Sequence, residues 1–403
     1  QGDVGSGKTA VALFAMLLAV EGDYQAALMA PTEILAEQHA ISLREILSPL
    51  LVDVVLLTGS SSAPERRATL DALKSGSAKL VVGTHALIEE SVVFTALGLV
   101  VVDEQHRFGV RQRMALMERD DVRPDVLVMS ATPIPRSLAM ALHGDLDLSV
   151  LDDLPPGRVP VRTVIQTPDH REEIYKFIHQ QIGEGHQAYI VYPLVAESEK
   201  VDLLAATDEY ERLRRDVFPN HQVGLIHGQL SGTEKDSVMR AFLGGETDVL
   251  VATTVIEVGI DVGNATVMVV EHAERFGLSQ LHQLRGRVGR GGAESHCILV
   301  AESRDEASER LRVLTETTDG FEVARADLQI RGQGDLFGRE QHGRDPVLRF
   351  ADIIADEELL VEAQKEARAL IASDPELTST EHQIIRAQLQ GRYRDRLEMY
   401  AVG

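Results

Sequence analysis

The sequence is short of cysteine, of lysine and of long apolar runs. A single cysteine, Cys297, forbids an intrachain disulfide and fits a reducing compartment. No stretch reaches the ~18 uninterrupted apolar residues that a membrane span needs. Positive charge is scarce as well: 40 bases face 63 acids, for a net charge of −23. That balance excludes a protein that binds nucleic acid through its overall charge. Any DNA contact has to use a local basic track, backbone amides or a further domain. The bases are seven lysines against 33 arginines, and arginine is the base that grips phosphate in bidentate fashion. None of the 14 histidines has the spacing or Cys/His company of a zinc site, so they read as solvated or hydrogen-bonded side chains.

What is present is ordinary globular composition, 44% hydrophobic and 26% charged, which excludes a disordered, collagen-like or disulfide-stapled chain. A length of 403 residues exceeds one ordinary core and suits two or three domains. Gln1 stands inside a motif, so the chain reads as a piece of a longer protein, and a missing targeting segment excludes nothing. Apolar runs of strand length recur at Ala26–Pro31, Val52–Thr58, Leu80–Thr84, Leu99–Asp103 and Val126–Ser130. Amphipathic stretches such as Thr9–Val20 and Glu33–Leu47 separate them. Continuous rather than alternating Val/Leu runs indicate parallel strands covered on both faces. A second series follows at Ala188–Tyr192, Val223–His227, Val249–Thr253, Val267–Glu271 and Cys297–Ala301. The proline-rich stretch DDLPPGRVP separates the two series. The expectation is an α/β chain of two tandem P-loop domains with parallel sheets, at residues 1–151 and 161–303, joined by a linker over 152–160. The two domains share no obvious residue-level repeat. After them come helices at Ala307–Thr315 and Phe321–Ile330 and a glycine-punctuated loop, together 304–349. Terminal helices at Ile353–Ala372 and Ser379–Tyr393 occupy 350–403.

Four motifs carry chemistry. Gly2–Thr9 reads GDVGSGKT. Its glycines, Gly2, Gly5 and Gly7, let consecutive amides curl around phosphate oxygens. Lys8 supplies a point charge, Thr9 a hydroxyl for Mg²⁺, and the next helix points its N-terminus at the anion. In VVVDEQH an apolar strand ends in Asp103 and Glu104. A carboxylate at a strand's carboxyl end sits in the ligand crevice of an open sheet. Asp103 suits Mg²⁺ and Glu104 suits polarising the attacking water. SATPIPR sets Ser130 and Thr132 at another strand end, where hydroxyls can relay nucleotide state. QLRGRVGR spaces Arg287 and Arg290 so that both can face one phosphate, as arginine fingers do. Those arginines belong to the second domain and the phosphate loop to the first, so the nucleotide is expected between domains. Cys297 reads as core, and the acidic run Asp356–Glu358 as a solvated helix start.

The motif set resembles a superfamily 2 helicase core, and within it the RecG type of branched-DNA helicase. GDVGSGKT resembles motif I, APTEILAEQH (Ala30–His39) motif Ia, GTHALI (Gly83–Ile88) motif Ib and DEQHRFG motif II. SATPIPR resembles motif III, LVATTVIEVGIDVGNAT (Leu250–Thr266) motif V and QLRGRVGRG motif VI. Asp319–Gly343 resembles the translocation motif that this type shares with transcription-repair coupling translocases. The resemblance implies RecA-like domains and an ATP–Mg²⁺ site that also uses Gly259, Asp261 and Gln283. It implies a DNA path along Thr32, Thr84 and Thr253, and a helical hairpin and loop coupling closure to movement through Arg310, Arg331 and Gln341. It further implies a monomeric, nucleoid-associated bacterial enzyme of the cytoplasm that unwinds or tracks branched or duplex DNA in recombination and repair. Two departures stand out. Gly263 replaces a proline usual in motif V, and nothing in the sequence resembles the type's N-terminal wedge domain or adenine-reading segment. A transcription-repair coupling translocase, an RNA helicase and a nucleotide-dependent switch without motor activity are the alternatives. DDLPPG and DEQHRFG favour the RecG type over the first, the Asp319–Gly343 module over the second, and Glu104 with paired arginines over the third.

Overall fold

The computed structural model describes residues 1–104, 124–130, 147–153, 159–193, 199–253, 262–302, 307–331 and 356–392. The first sheet holds β1 (Gln25–Met29), β2 (Val54–Leu57), β3 (Leu80–Gly83), β4 (Leu97–Val102) and β5 (Asp125–Val128), in the order β2-β3-β1-β4-β5. The second holds β6 (Arg162–Gln166), β7 (Gln187–Val191), β8 (Val223–Ile226), β9 (Val249–Ala252), β10 (Ala265–Val270) and β11 (His296–Val300), in the order β6-β11-β10-β7-β9-β8. The neighbours in both sheets pair parallel.

Side chains alternate between faces along a strand, and here both faces are covered. Ala26 and Leu28 pack with Met16 of α1 (Lys8–Glu21) and Leu43 of α2 (Glu33–Leu47), whereas Ala27 and Met29 pack with Leu73 of α3 (Ala63–Ser75). In the second sheet Ala188 and Ile190 lie against Ile178 of α4 (Arg171–Gly183). Past α5 (Glu199–Arg212), α6 (Gly232–Leu243) sets Phe242 against Tyr189 on the opposite face. Helix starts follow local chemistry. The Thr32 hydroxyl accepts from Leu35 N at 3.3 Å ahead of α2, and Ser231 and Glu234 close a capping box ahead of α6.

The edge strand β6 had no counterpart among the apolar runs of the sequence. Its residues RTVIQ are half-buried or exposed, as an edge permits, and so lack a continuous apolar signature. A structural repeat also emerges where the sequence offered none. Reversed, the second sheet reads β8-β9-β7-β10-β11-β6, so β1 matches β7, β3 matches β9 and β4 matches β10. Gln25 opens β1 and donates to the carbonyls of Leu73 and Ala78, at 3.0 and 2.8 Å. Gln187 opens β7 and donates to Phe242 and Thr247, both at 2.7 Å. Each buried amide satisfies the carboxyl end of the helix packed on its strand, which would otherwise leave buried carbonyls without donors.

By contacts the chain divides into two compact units, Gln1–Pro133 with Leu148–Ile330 and Ile134–Asp147 with Arg331–Gly403. Within the first, α7 (Leu278–Arg285) contributes Leu281 and Leu284 to a cluster that also takes Leu311 and Leu314 of α8 (Ala307–Glu316) and Val323 of α9 (Gly320–Arg331). The second unit contains α10 (Glu357–Ser373) and α11 (Gln383–Arg392). Asp374 there accepts from the amides of Thr378 and Ser379, at 3.0 and 2.9 Å, and those bonds hold its pKa well below the usual carboxylate range.

Cys297 is 1% exposed in β11, and burial pushes its thiol up to about 12. At pH 8 the folded chain should therefore react with a thiol-specific reagent roughly a thousandfold more slowly than the unfolded chain on ionisation alone. Equal rates with and without denaturant would show that the strand is open to solvent.

Candidate active site

One cleft of about 550 Å³ is lined by α2, through Leu35, Gln38, His39, Ile41 and Ser42, and by three further chain segments that carry the candidate residues. The first is the loop ahead of α1. Gly5 and Gly7 have φ of +76° and +92°, left-handed conformations that side chains other than glycine resist. The first turn of α1 carries no acid, so its positive end is left for an anion. Lys8 donates from Nζ to the carbonyls of Gly2 (2.9 Å) and Asp3 (2.7 Å). Burial lowers the Lys8 pKa, against the pull of the Glu104, Asp103 and Asp3 carboxylates. Gly2 stands behind the loop, where a Cβ would collide with Ser6 Oγ.

The second segment follows β4. The Asp103 amide extends the strand pairing by donating to Met29 O at 2.9 Å. Its Oδ1 accepts from Glu104 N at 3.0 Å, and its Oδ2 lies 2.9 Å from His39 Nε2. Glu104 is 7% exposed and left-handed at φ +52°, a strained conformation costing of order 1–3 kcal/mol that is typical of functional sites. His39 was not singled out from the sequence. The signal for it is its spacing: Leu35, His39 and Leu43 fall on the buried stripe of α2.

The third segment follows α7 in the other sheet's half of the unit. Arg287 is 4% exposed and Arg290 donates from Nε to Gly286 O at 3.0 Å. Both line the cleft together with Gly5, Gly7, Lys8, Thr9, Asp103 and Glu104. Gly286 makes this approach possible, because a Cβ there would stand 2.8 Å from Cγ1 of Val4.

The other sequence-derived candidates lie elsewhere. Gln283 is buried within α7 and is not among the lining residues. Thr32 serves as the N-cap of α2, and Ser130 is half-buried just past β5. Thr84 and Thr253 occupy matching places, one residue beyond β3 and β9. Their amides donate to Leu57 O and Ile226 O, and their buried hydroxyls have no hydrogen-bond partner among the described residues. Arg310 donates to the carbonyls of Glu274 and Phe276, at 2.9 and 2.5 Å, and so ties α8 to the turn ahead of α7. Arg331 ends α9. Thr132, Gly259, Asp261 and Gln341 lie outside the described residues.

Three family models match the chain: DEAD/DEAH box helicase over residues 1–141, helicase conserved C-terminal domain over 169–292, and ATP-dependent DNA helicase RecG, domain 3, C-terminal, over 317–402. The ATP-dependent DNA helicase RecG of Synechocystis is 50% identical over 394 residues, covering 98% of this chain and 47% of that protein. That of Escherichia coli K12 is 49% identical over 374 residues, covering 91% and 54%. The chain thus spans about half the length of the curated relatives it matches. A solved structure of RecG bound to a three-way DNA junction superimposes with a TM-score of 0.75 at 48% identity, over 89% of this chain and 46% of that one. Yeast Dbp5 bound to RNA and ADP BeF3 gives 0.58 at 19% identity, over 80% of this chain and 82% of that one, a likeness of fold alone.

Gly286 has ordinary helical dihedrals, so Gly286→Ala tests contact with Val4 without backbone strain. Overpacking of this kind costs about 1–3 kcal/mol. Gly286→Ala should weaken binding of a fluorescent ADP analogue about 5- to 100-fold, and the added change Val4→Ala should restore most of it. Full affinity in Gly286→Ala would mean that the two segments do not meet.

Proposed function

We propose that this chain, which belongs to the RecG-type family of ATP-dependent DNA helicases, is an ATP-driven motor that moves along and unwinds branched or duplex DNA in recombination and repair. The reading rests on one observation: Lys8, Asp103 and Glu104 share a cleft with Arg287 and Arg290 from the other parallel-sheet half.

In this reading Lys8 leaves the carbonyls of Gly2 and Asp3 and turns its ammonium to the β and γ phosphates of ATP. The glycine loop and the first turn of α1 donate amides to the same oxygens. Thr9, exposed at that turn, and Asp103, bordering the same cleft, form an all-oxygen donor set that fits a hard cation. They would hold Mg²⁺, which when bound supplies positive charge to the phosphates. His39, which borders the same cleft, holds the Asp103 carboxylate. Glu104 accepts a proton from the attacking water. Arg287 and Arg290 donate to the charge that develops on the transferred phosphoryl group. Because these arginines come from the other half, hydrolysis loosens their hold and lets the cleft open. The excess of acids confines DNA to local contacts. A solved relative bound to a three-way junction supports branched DNA as the partner. The bacterial relatives suit a nucleoid-associated role in the cytoplasm.

Steady-state ATP hydrolysis, alone and with duplex, forked or single-stranded DNA at fixed salt, tests the reading. Duplex or forked DNA should stimulate turnover more than single strands. Lys8→Ala should lower it at least about a hundredfold without loss of folded structure, the scale of removing one transition-state donor. Unchanged turnover in Lys8→Ala would remove the site from the mechanism.

A further inference from the structure

Asp3, the second residue of the phosphate loop, turns its side chain away from the cleft, and the proposed role of Lys8 leaves it without a task. It is 9% exposed and engages five partners. Its backbone carbonyl accepts from Lys8 Nζ at 2.7 Å and from Ser6 N at 3.1 Å. Oδ1 accepts from Val4 N at 2.6 Å and lies 2.5 Å from His282 Nε2. Oδ2 accepts from Gly320 N at 3.1 Å. Burial alone would raise the Asp3 pKa, but the bonds from His282, Val4 and Gly320 outweigh it and hold the carboxyl below its ordinary value. Arg285 donates from a terminal nitrogen to His282 Nδ1 at 2.7 Å. An arginine cannot accept, so Nδ1 is the bare nitrogen of the ring and Nε2 carries the proton given to Asp3. The other terminal nitrogen of Arg285 donates to the carbonyls of Leu314 and Thr317, both at 2.8 Å.

The turn between α8 and α9 is therefore gripped from both sides. Arg285 meets the carboxyl end of α8, where a cation suits the helix dipole. The Asp3 carboxylate meets Gly320, the first residue of α9, where an anion suits it. A single residue joins this grip to the phosphate loop: the main chain of Asp3 takes the lysine and its side chain takes the turn. In the proposed reading Lys8 releases the Asp3 carbonyl as it turns to the phosphates.

We propose that Asp3 is a positioning residue that couples the phosphate loop directly to the helical hairpin Ala307–Arg331, so that the departure of Lys8 from the Asp3 carbonyl shifts the Thr317–Gly320 turn through the Asp3 side chain. This inference rests on the reading of Gly2–Thr9 as the ATP-binding loop. It adds to the arginine contacts of α7 a second connection that begins in the loop itself.

The test is peptide-resolved hydrogen exchange of the whole chain, with ADP as the probe. Gly320→Pro deletes the one donor that binds Asp3 Oδ2. Proline suits the first helical position, and Asp319 ahead of it is an N-cap whose side chain accepts from Phe321 N at 2.7 Å, in keeping with the extended backbone required before proline. Gly320→Ala keeps the donor and controls for packing. In the parent chain and in Gly320→Ala, ADP should change the exchange of Phe321–Ala324 by about fivefold or more, the low end of ordinary site-to-site coupling. In Gly320→Pro the response should vanish while a fluorescent ADP analogue still binds within a few-fold. Asp3→Asn, which keeps the shape but offers one acceptor oxygen, should weaken the response to an intermediate value. An equal response in Gly320→Pro, or none in the parent chain with ADP bound, would overturn the coupling and leave the ATP-binding reading intact. No ADP binding by the parent chain would overturn both.

Discussion

Parallel strands must be covered on both faces, and that constraint governs the rest of the molecule. Every strand of each sheet runs the same way, so every strand ends at one edge. The helices that return the chain cover the faces and cannot cover that edge. The residues just past the strands, Asp103 after β4, Thr84 after β3 and Thr253 after β9, therefore stand at the carboxyl edge of an open sheet, where Asp103 borders the cleft and the two threonines are buried. The glycines at positive φ and the left-handed Glu104 are local departures that the packed sheet below can support.

The two halves repeat one plan and differ at the residue that decides their use. Asp103 and Glu271 occupy matching strand ends, their amides donating to Met29 O and Val191 O at 2.9 and 2.8 Å. Glu271 is 1% exposed and closed by Arg171, whose Nε and terminal nitrogen bridge both carboxylate oxygens. A buried carboxylate so paired has no charge left to offer a cation. Asp103 instead meets a histidine and borders the cleft. The second half contributes arginines rather than acids to that cleft. This division of charge is what a phosphate site between two halves requires.

Much of this was legible in the residues. Unbroken apolar runs marked ten of the eleven described strands, and α2 spans Glu33–Leu47 as its periodicity predicts. Gly5, Gly7, Lys8, Thr9, Asp103, Glu104, Arg287 and Arg290 meet as their motifs suggested, because each motif is a short local geometry that the sheet edge then gathers. What escaped depended on partners far apart in the chain. Edge strand β6 has no apolar run because one of its flanks needs none. Asp3 reads as a variable position of a glycine loop until His282 and Gly320, 279 and 317 residues away, are seen bonded to it. His39 likewise reads as one more solvated histidine until Asp103 closes on it. The paired glutamines Gln25 and Gln187 are invisible as a repeat because only their backbone partners correspond.

The central claim is that Arg287 reaches across to stabilise charge on phosphate held by Lys8. The most direct measurement compares the affinity of the chain for ADP with its affinity for ADP plus aluminium fluoride, in the parent and in Arg287→Ala. The parent should bind the mimic at least about a hundredfold more tightly than ADP, as transition-state analogues do. Arg287→Ala should lose most of that gain while binding ADP nearly as well. An undiminished gain in Arg287→Ala would contradict a phosphate site shared between the two halves.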